Sequence, residues 1–306
     1  MGEGAVAEIG NLLRWRIGDV TVTRVPEVEM RVPVEQFIPD GTAAALNRHP
    51  WLIPDFATPD GILRLSIHGL AIEAAGLRVL VDPCFGEGKT IPGYEMDLGG
   101  QSDFIAGLSS IGFTRDNVDV VLCTHLHIDH VGWNTMKQGD RWVPTFPNAR
   151  YLFGRVEYEF WSQSGEHQDL HTGAIVMRES VTPVIEAGLA DFVETDHRLS
   201  DELRLVPSIG HSPGHASLMI ESRGESAVIT GDMMHHPCQI PHADWSMPFD
   251  ADPQQTIVTR ERLLGEWEAS GILVIGTHFA APTAGRIGRE EGGLRRLVCG
   301  GQGADS

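Results

Sequence analysis

Cysteine is scarce in this chain, with four residues (Cys84, Cys123, Cys238, Cys299) far apart and no C-x-x-C pair, so a disulfide scaffold is excluded and reduced thiols are expected. Basic residues are also few. Lys and Arg total 23 against 42 Asp and Glu, a formal charge of −19. Such a surface repels phosphate at long range, which speaks against nucleic acid or an anionic membrane as partner. No stretch approaches 18 uninterrupted apolar residues, so no membrane span is expected. Met1–Gly10 lacks the basic and apolar regions of a secretion signal, and a cytoplasmic location is the default. What the chain does have is 42% hydrophobic residues, enough to bury a sizeable core, and 14 histidines, several of them bunched. A soluble acidic enzyme is the expectation.

The N-terminal third reads as β structure broken by turns. Leu12–Ile17 and Val20–Val25 flank Gly18-Asp19 as a hairpin. Residues 26–61 hold many of the prolines and read as an extended arm with little regular structure. Ile62–Glu73 and Leu77–Val81 form a second hairpin, a helix is predicted over Ser102–Ile111, and Val118–Cys123 is a continuously apolar strand, hence buried on both faces. Further on come a strand at Ala149–Phe153, helices near Arg155–Trp161 and Gly173–Ala187, and strands at Leu203–Val206, Ala216–Glu221, Ala227–Thr230 and Ile272–Ile275. Asp252-Pro253 caps a helix with Gln255 placed for a capping box. The Gly-rich tail after Arg289 is expected to fray, and Gly99-Gly100 and Gly292-Gly293 read as turns. No linker or repeat is visible, so a single domain 1–306 is expected, with a core of about 62–288 and an N-terminal hairpin and arm over 1–61.

One echo stands out. V-V-L-C-T-H (120–125) and L-V-I-G-T-H (273–278) each end a buried strand in Thr-His. Two sheets delivering one histidine each into a shared cleft, with helices outside, make an αββα sandwich of the α/β class. The first echo opens T-H-L-H-I-D-H, residues 124–130. Extended backbone puts His125 and His127 on one side, able to grip one ion, while Asp129 and His130 at the turn can reach a second. Imidazole with carboxylate suits zinc and its transition-metal neighbours.

H-x-H-x-D-H after a strand resembles the signature of the metallo-β-lactamase fold superfamily, and other motifs follow in order: Val81-Asp82-Pro83, His215 in S-P-G-H-A-S, Gly231-Asp232 and His278. The resemblance implies that His125, His127 and His215 bind one metal, that Asp129, His130 and His278 bind another, and that Asp232 bridges them. His211, four residues earlier, competes with His215. Asp82 would orient a ligand histidine. Within the superfamily, I-T-G-D-M-M-H, F-D-A-D-P and G-T-H-F-A-A-P resemble the methyl parathion hydrolase branch and, more distantly, the N-acyl-homoserine lactone lactonases. Many of the latter carry tyrosine three residues after the bridging Asp, where this chain has His235.

The function so implied is a dinuclear hydrolase, with two divalent ions (Zn2+ first; Fe, Mn or Co as substitutes) holding a bridging hydroxide that cleaves an ester or lactone of a small, largely neutral substrate. Asp129 would orient the water and shuttle its proton, and His235 would serve as a proton donor. Phosphotriester hydrolysis is the alternative, followed by an iron-dependent sulfur dioxygenase-type oxidoreductase. Trp133, Trp245, Met247 and Phe279 are candidates for an apolar substrate wall, with core packing as the competing role for each. His236 is read as pocket lining or a surface residue, and His49, His68, His167, His171, His197 and His242 as structural. A homodimer is implied by the resemblance alone, with the arm packing across a neighbour or lidding the pocket.

Overall fold

The computed structural model of the chain describes residues 6–9, 12–89, 102–163 and 173–300; His167, His171 and Gly99-Gly100 lie outside them. Strands β1 (Val6–Ile9), β2 (Leu12–Ile17), β3 (Val20–Pro33), β4 (Ile62–Ala74), β5 (Leu77–Val81), β6 (Val120–Leu122), β9 (Arg150–Gly154) and β10 (Ala190–Val193) form one sheet in that order. Between β6 and β9 lies a small hairpin, β7 (Thr135–Gln138) and β8 (Arg141–Pro144). The second sheet runs β11 (Leu203–Pro207), β12 (Ala216–Ser222), β13 (Glu225–Ile229), β14 (Leu273–Ile275), β15 (Ala284–Arg289) and β16 (Arg295–Val298).

Strand alternation explains the layering. Leu70, Ile72, Val79, Val81, Val120, Leu122 and Leu152 pack against Leu218, Ile220, Ala227, Ile229 and Ile275 between the sheets. Their neighbours Ala71, Leu80, Val121, Tyr151 and Phe153 point the other way, into a cluster with Phe104 and Leu108 of the helix Phe104–Ser110. On the far side, Val228 and Val274 meet Leu263, Leu264 and Trp267 of the helix Pro253–Ser270. The central strands of each sheet are therefore buried on both faces, as continuous apolar strands require. The αββα sandwich is the observed fold.

Three sequence expectations need correction. First, β3 does not stop at Val25 but continues to Pro33, paired with β4 throughout and shifted in register between Pro26 and Val28. Only residues 20–23 of β3 pair with β2, so beyond them β3 is an edge strand, where proline is tolerated, and the register shift follows directly on Pro26. The rest of the arm holds short helices at Val34–Phe37 and Ala43–Leu46, and its Ile38, Leu46, Leu52 and Phe56 belong to the core cluster beneath Pro253–Ser270. It packs on its own chain.

Second, the described part of the tail after Arg289, residues 290–300, is held. Strand β16 pairs with β15, Leu297 is buried, and Arg295 reaches Glu261 and Glu268 of the long helix at 2.6 and 3.1 Å. Third, the capping box at that helix is half formed. Asp252 accepts from the Gln255 amide at 2.9 Å, but the Gln255 side chain turns to Thr259, and the Asp252 amide donates instead to Gly210 at 2.9 Å. The helix predicted over Gly173–Ala187 is present, with a π turn at Met177–Val181 just before Pro183, which has no N–H to give.

Leu218 lies in the layer between the sheets and is 1% exposed. Leu218→Ala is expected to lower the unfolding free energy by about 2–5 kcal/mol, measured by denaturant titration.

Candidate metal centre

The polar cluster sits where strands of both sheets end side by side. Asp82 follows β5 and His125 follows β6, which run parallel. Asp232 and His278 come just after β13 and β14, which are also parallel. The two Thr-His echoes thus deliver their histidines from opposite sheets to one seam. His127 then stands at the N-cap position of the short helix Ile128–Val131, which carries Asp129 and His130.

Two groups of donor atoms result. His125, His127, His211 and Asp232 converge in one, and Asp129, His130 and His278 in the other. Asp232 touches both. Its Oδ2 lies 3.2 Å from His130 Nε2 and 3.5 Å from His211 Nε2, and its Oδ1 lies 3.1 Å from His278 Nε2. The nitrogens also face one another, with His127 Nδ1 at 2.9 Å from His211 Nε2 and His130 Nε2 at 3.2 Å from His278 Nε2. His125 Nε2 and Asp232 Oδ1 are buried and have no hydrogen-bond partner. Converging lone pairs with buried, unpartnered acceptors are what a divalent cation completes, and nitrogen with carboxylate oxygen is a donor set for zinc-like ions.

The structure departs from the sequence expectation at His215. Its Nε2 accepts the Asp232 amide at 2.8 Å and its Nδ1 lies against Ser208, 2.8 Å from the hydroxyl and 3.0 Å from the carbonyl, so neither nitrogen is free for an ion. His211 occupies the place expected of it. The Asp250 carboxylate holds His211 Nδ1 at 2.9 Å, and the backbone of Ala251 and Asp252 bonds to His211 and Gly210. Thus F-D-A-D-P, read from the sequence only as a resemblance, is the clamp on this loop. An aspartate able to orient an imidazole, two residues before a helix cap, was the available signal. Gly231 is required beside His215: its φ is +54°, and a Cβ there would come within 2.4 Å of His215 Nε2.

Asp82 accepts from the Thr124 amide and hydroxyl, both at 2.8 Å, and its Oδ2 is 3.1 Å from His130 Nδ1. His235 is buried, with Nε2 3.1 Å from Asp232 Oδ2, Nδ1 unpartnered, and the ring edge-on to Phe37 of the arm at 5.8 Å. The four residues expected as a substrate wall are core residues. Trp133 stacks on Phe104 and donates to Glu27 at 2.6 Å, Phe279 packs on Phe56, Trp245 stacks on His242 at 4.0 Å, and Met247 is 2% exposed. Phe37 and Phe249, 6.2 Å apart and only partly buried, flank the site instead. They were missed because the contact between arm and loop is invisible in a linear pattern.

Burial pushes His125 and His127 well below the usual imidazole range, helped by the neighbouring rings, and takes His215 down to about 3. His130 and His278 move the other way. Burial acts against them, but the carboxylates of Asp232 and Asp129 outweigh it and raise both. Asp232 would be raised by burial, yet the rings of His130 and His278 hold it well below the carboxylate range. Asp232 is therefore kept as its anion and His125 and His127 as neutral imidazoles, the states that bind metal, whereas the raised His130 and His278 favour a proton that an ion would have to displace.

Residues 69–292 match the family described as Metallo-beta-lactamase superfamily. Over 161 residues the chain is 26% identical to an N-acyl homoserine lactonase of Bacillus thuringiensis, covering 53% of this chain and 54% of that protein. A Bacillus cereus N-acyl homoserine lactonase is 24% identical over 187 residues, 56% of this chain and 65% of that one. The chain thus spans about half the length of the first of these relatives and somewhat more of the second. Among solved structures, the hydrolase AbOPH superposes with a TM-score of 0.78 at 21% identity, covering 97% of this chain and 100% of that one. AidC, described as a dizinc quorum-quenching lactonase in complex with a product, gives 0.77 at 18%, covering 95% and 98%. At these identities the likeness is one of fold.

His236 is neither surface nor site lining. It is fully buried, its Nε2 bonded to the Phe56 carbonyl at 2.8 Å and its Nδ1 accepting from the Cys238 amide at 3.1 Å, tying the arm to the loop after Asp232. Burial lowers it to about 4. Since the unfolded chain takes up that proton near pH 6.5, stability is fully present above 6.5 and falls as the pH drops towards 4. His236→Gln is expected to flatten that part of the stability–pH curve; equal slopes in both proteins would contradict the assignment.

Proposed function

From the premise that the chain belongs to the metallo-beta-lactamase superfamily, we propose that it is a dinuclear metal-dependent hydrolase acting on an ester or lactone of a small, largely neutral molecule. The observation that carries the reading is Asp232, whose two oxygens reach nitrogens of both donor groups. His125, His127 and His211 would hold one ion and Asp129, His130 and His278 the other, with Asp232 shared. Zinc is the favoured metal on donor chemistry. The chemistry two such ions supply is activation of water near neutral pH and polarisation of the oxygen of the scissile bond.

The chain's own groups account for the rest. Asp129 is the most exposed carboxylate of the cluster, 21% accessible, and lies 3.5 Å from His278, so it can take a proton at the mouth and pass it to a leaving group. His235 carries an unpartnered Nδ1 beside Asp232 and is the second candidate donor. Asp250 and Asp82 fix the rings of His211 and His130. Phe37 shields His235 from water on the arm side. A neutral substrate fits these apolar flanks, and the lactonase relatives support a lactone within that class.

Protein purified without added metal is expected to carry two divalent ions per chain and to turn over members of an ester, lactone and phosphotriester panel. His211→Ala is expected to lose an ion and more than about 100-fold in turnover. His215→Ala should keep both ions, with affinity weakened by about 10–100-fold. One iron per chain with oxygen consumption would overturn the hydrolase reading, and ion loss in His215→Ala but not in His211→Ala would overturn the ligand assignment.

A further inference from the structure

Glu157 is a fully buried carboxylate outside both donor groups. It sits in the helix Arg155–Ser162, and four donors from three segments converge on it. Oε1 accepts from the Leu126 amide at 3.3 Å and the Trp161 indole at 2.7 Å. Oε2 accepts from the Ser212 hydroxyl and the Gly214 amide, both at 2.8 Å. Leu126 lies between His125 and His127, and Ser212 follows His211. One carboxylate thus ties the loop that carries the first two imidazoles to the loop that carries the third. The Trp161 ring packs edge-on against His127 at 5.3 Å, and the rings of His127 and His211 meet at 2.9 Å on the other side of the same joint. The fit is close: a Cβ on Gly214 would come within 2.4 Å of the Glu157 amide nitrogen.

We propose that Glu157 is a positioning residue that sets the spacing between His127 and His211, and so the affinity and geometry of the metal held by His125, His127, His211 and Asp232. Four donors and no acceptor face it, which matches the lone-pair capacity of an ionised carboxylate and of no other side chain of this size. Glutamine would turn an amide NH2 towards donors and leave at least one of them buried and unpaired, while hardly altering volume. The inference rests on the two-metal reading above.

The test is zinc and cobalt binding to the chelator-stripped chain, measured by competition with a chromophoric chelator, alongside thermal unfolding. Wild type should bind two ions. Glu157→Gln should bind one of them about 10–100-fold more weakly and alter the visible spectrum of the cobalt form. Ser212→Ala, which removes one donor only, should lose less and keep the wild-type melting temperature. A lower melting temperature in Glu157→Gln with unchanged affinities and spectrum would overturn the proposal. If Glu157→Gln does not fold, Ser212→Ala decides, and wild-type affinity there overturns it. Absence of ion binding by wild type would sink the two-metal reading itself.

Discussion

The shared carboxylate of Asp232 is the constraint to which the rest of this structure answers. It is buried, held ionised by the imidazoles around it, and reached by nitrogens delivered from both sheets. Collecting this many buried polar groups in one place is costly unless each is paired or bound to a cation. The αββα sandwich makes it feasible. Its parallel strand pairs end together at one seam, so the side chains just beyond β5, β6, β13 and β14 converge without long excursions of the chain. The apolar layer between the sheets fixes the relative position of those ends, and the packing of apolar strands is transmitted to the site as geometry.

Around this centre lies a shell of groups with a mechanical role. Asp82 joins Thr124 to His130, Asp250 holds His211, Ser208 orients His215, and His215 in turn receives the Asp232 amide. Each constrains the direction of the ring or carboxylate it touches, which matters more for an ion site than its raw proximity. The segment 208–215 is the busiest part of this shell. It is gripped by the start of the helix Pro253–Ser270 on one side, through Gly210, and by Glu157 on the other. A loop held at both ends in this way can present His211 without a strand of its own.

The arm links the core to the surroundings of the cluster. Its apolar residues complete the core under the long helix, and this packing brings Phe37 to His235. The buried His236 fastens the same arm to the loop that follows Asp232. The wall of the site and the stability of the second sheet therefore share residues. Trp133, Trp245, Met247 and Phe279, adjacent to the motifs in sequence, lie in the core instead.

Much was legible in the linear sequence. Buried strands ending in Thr-His, the H-x-H-x-D-H segment and Gly-Asp followed by His235 stated the fold class and nearly all of the cluster, because these are local patterns: a strand's apolarity and the residues just past its end. Two kinds of decision were not local. Between His211 and His215, four residues apart on one loop, the sequence offered two imidazoles, and only the placement of Asp250 and of the Asp232 amide turned one into the donor cluster and the other onto the backbone. The same holds for the arm, whose first residues pair along β4 despite their prolines, and for Glu157, on which four donors converge, most of them from loops distant in sequence. The chain itself determined which chemistry was on offer. Tertiary structure decided which nitrogens and oxygens converge in the cluster, since hydrogen bonds between residues far apart in sequence fix ring orientation, and no spacing within a single segment encodes them.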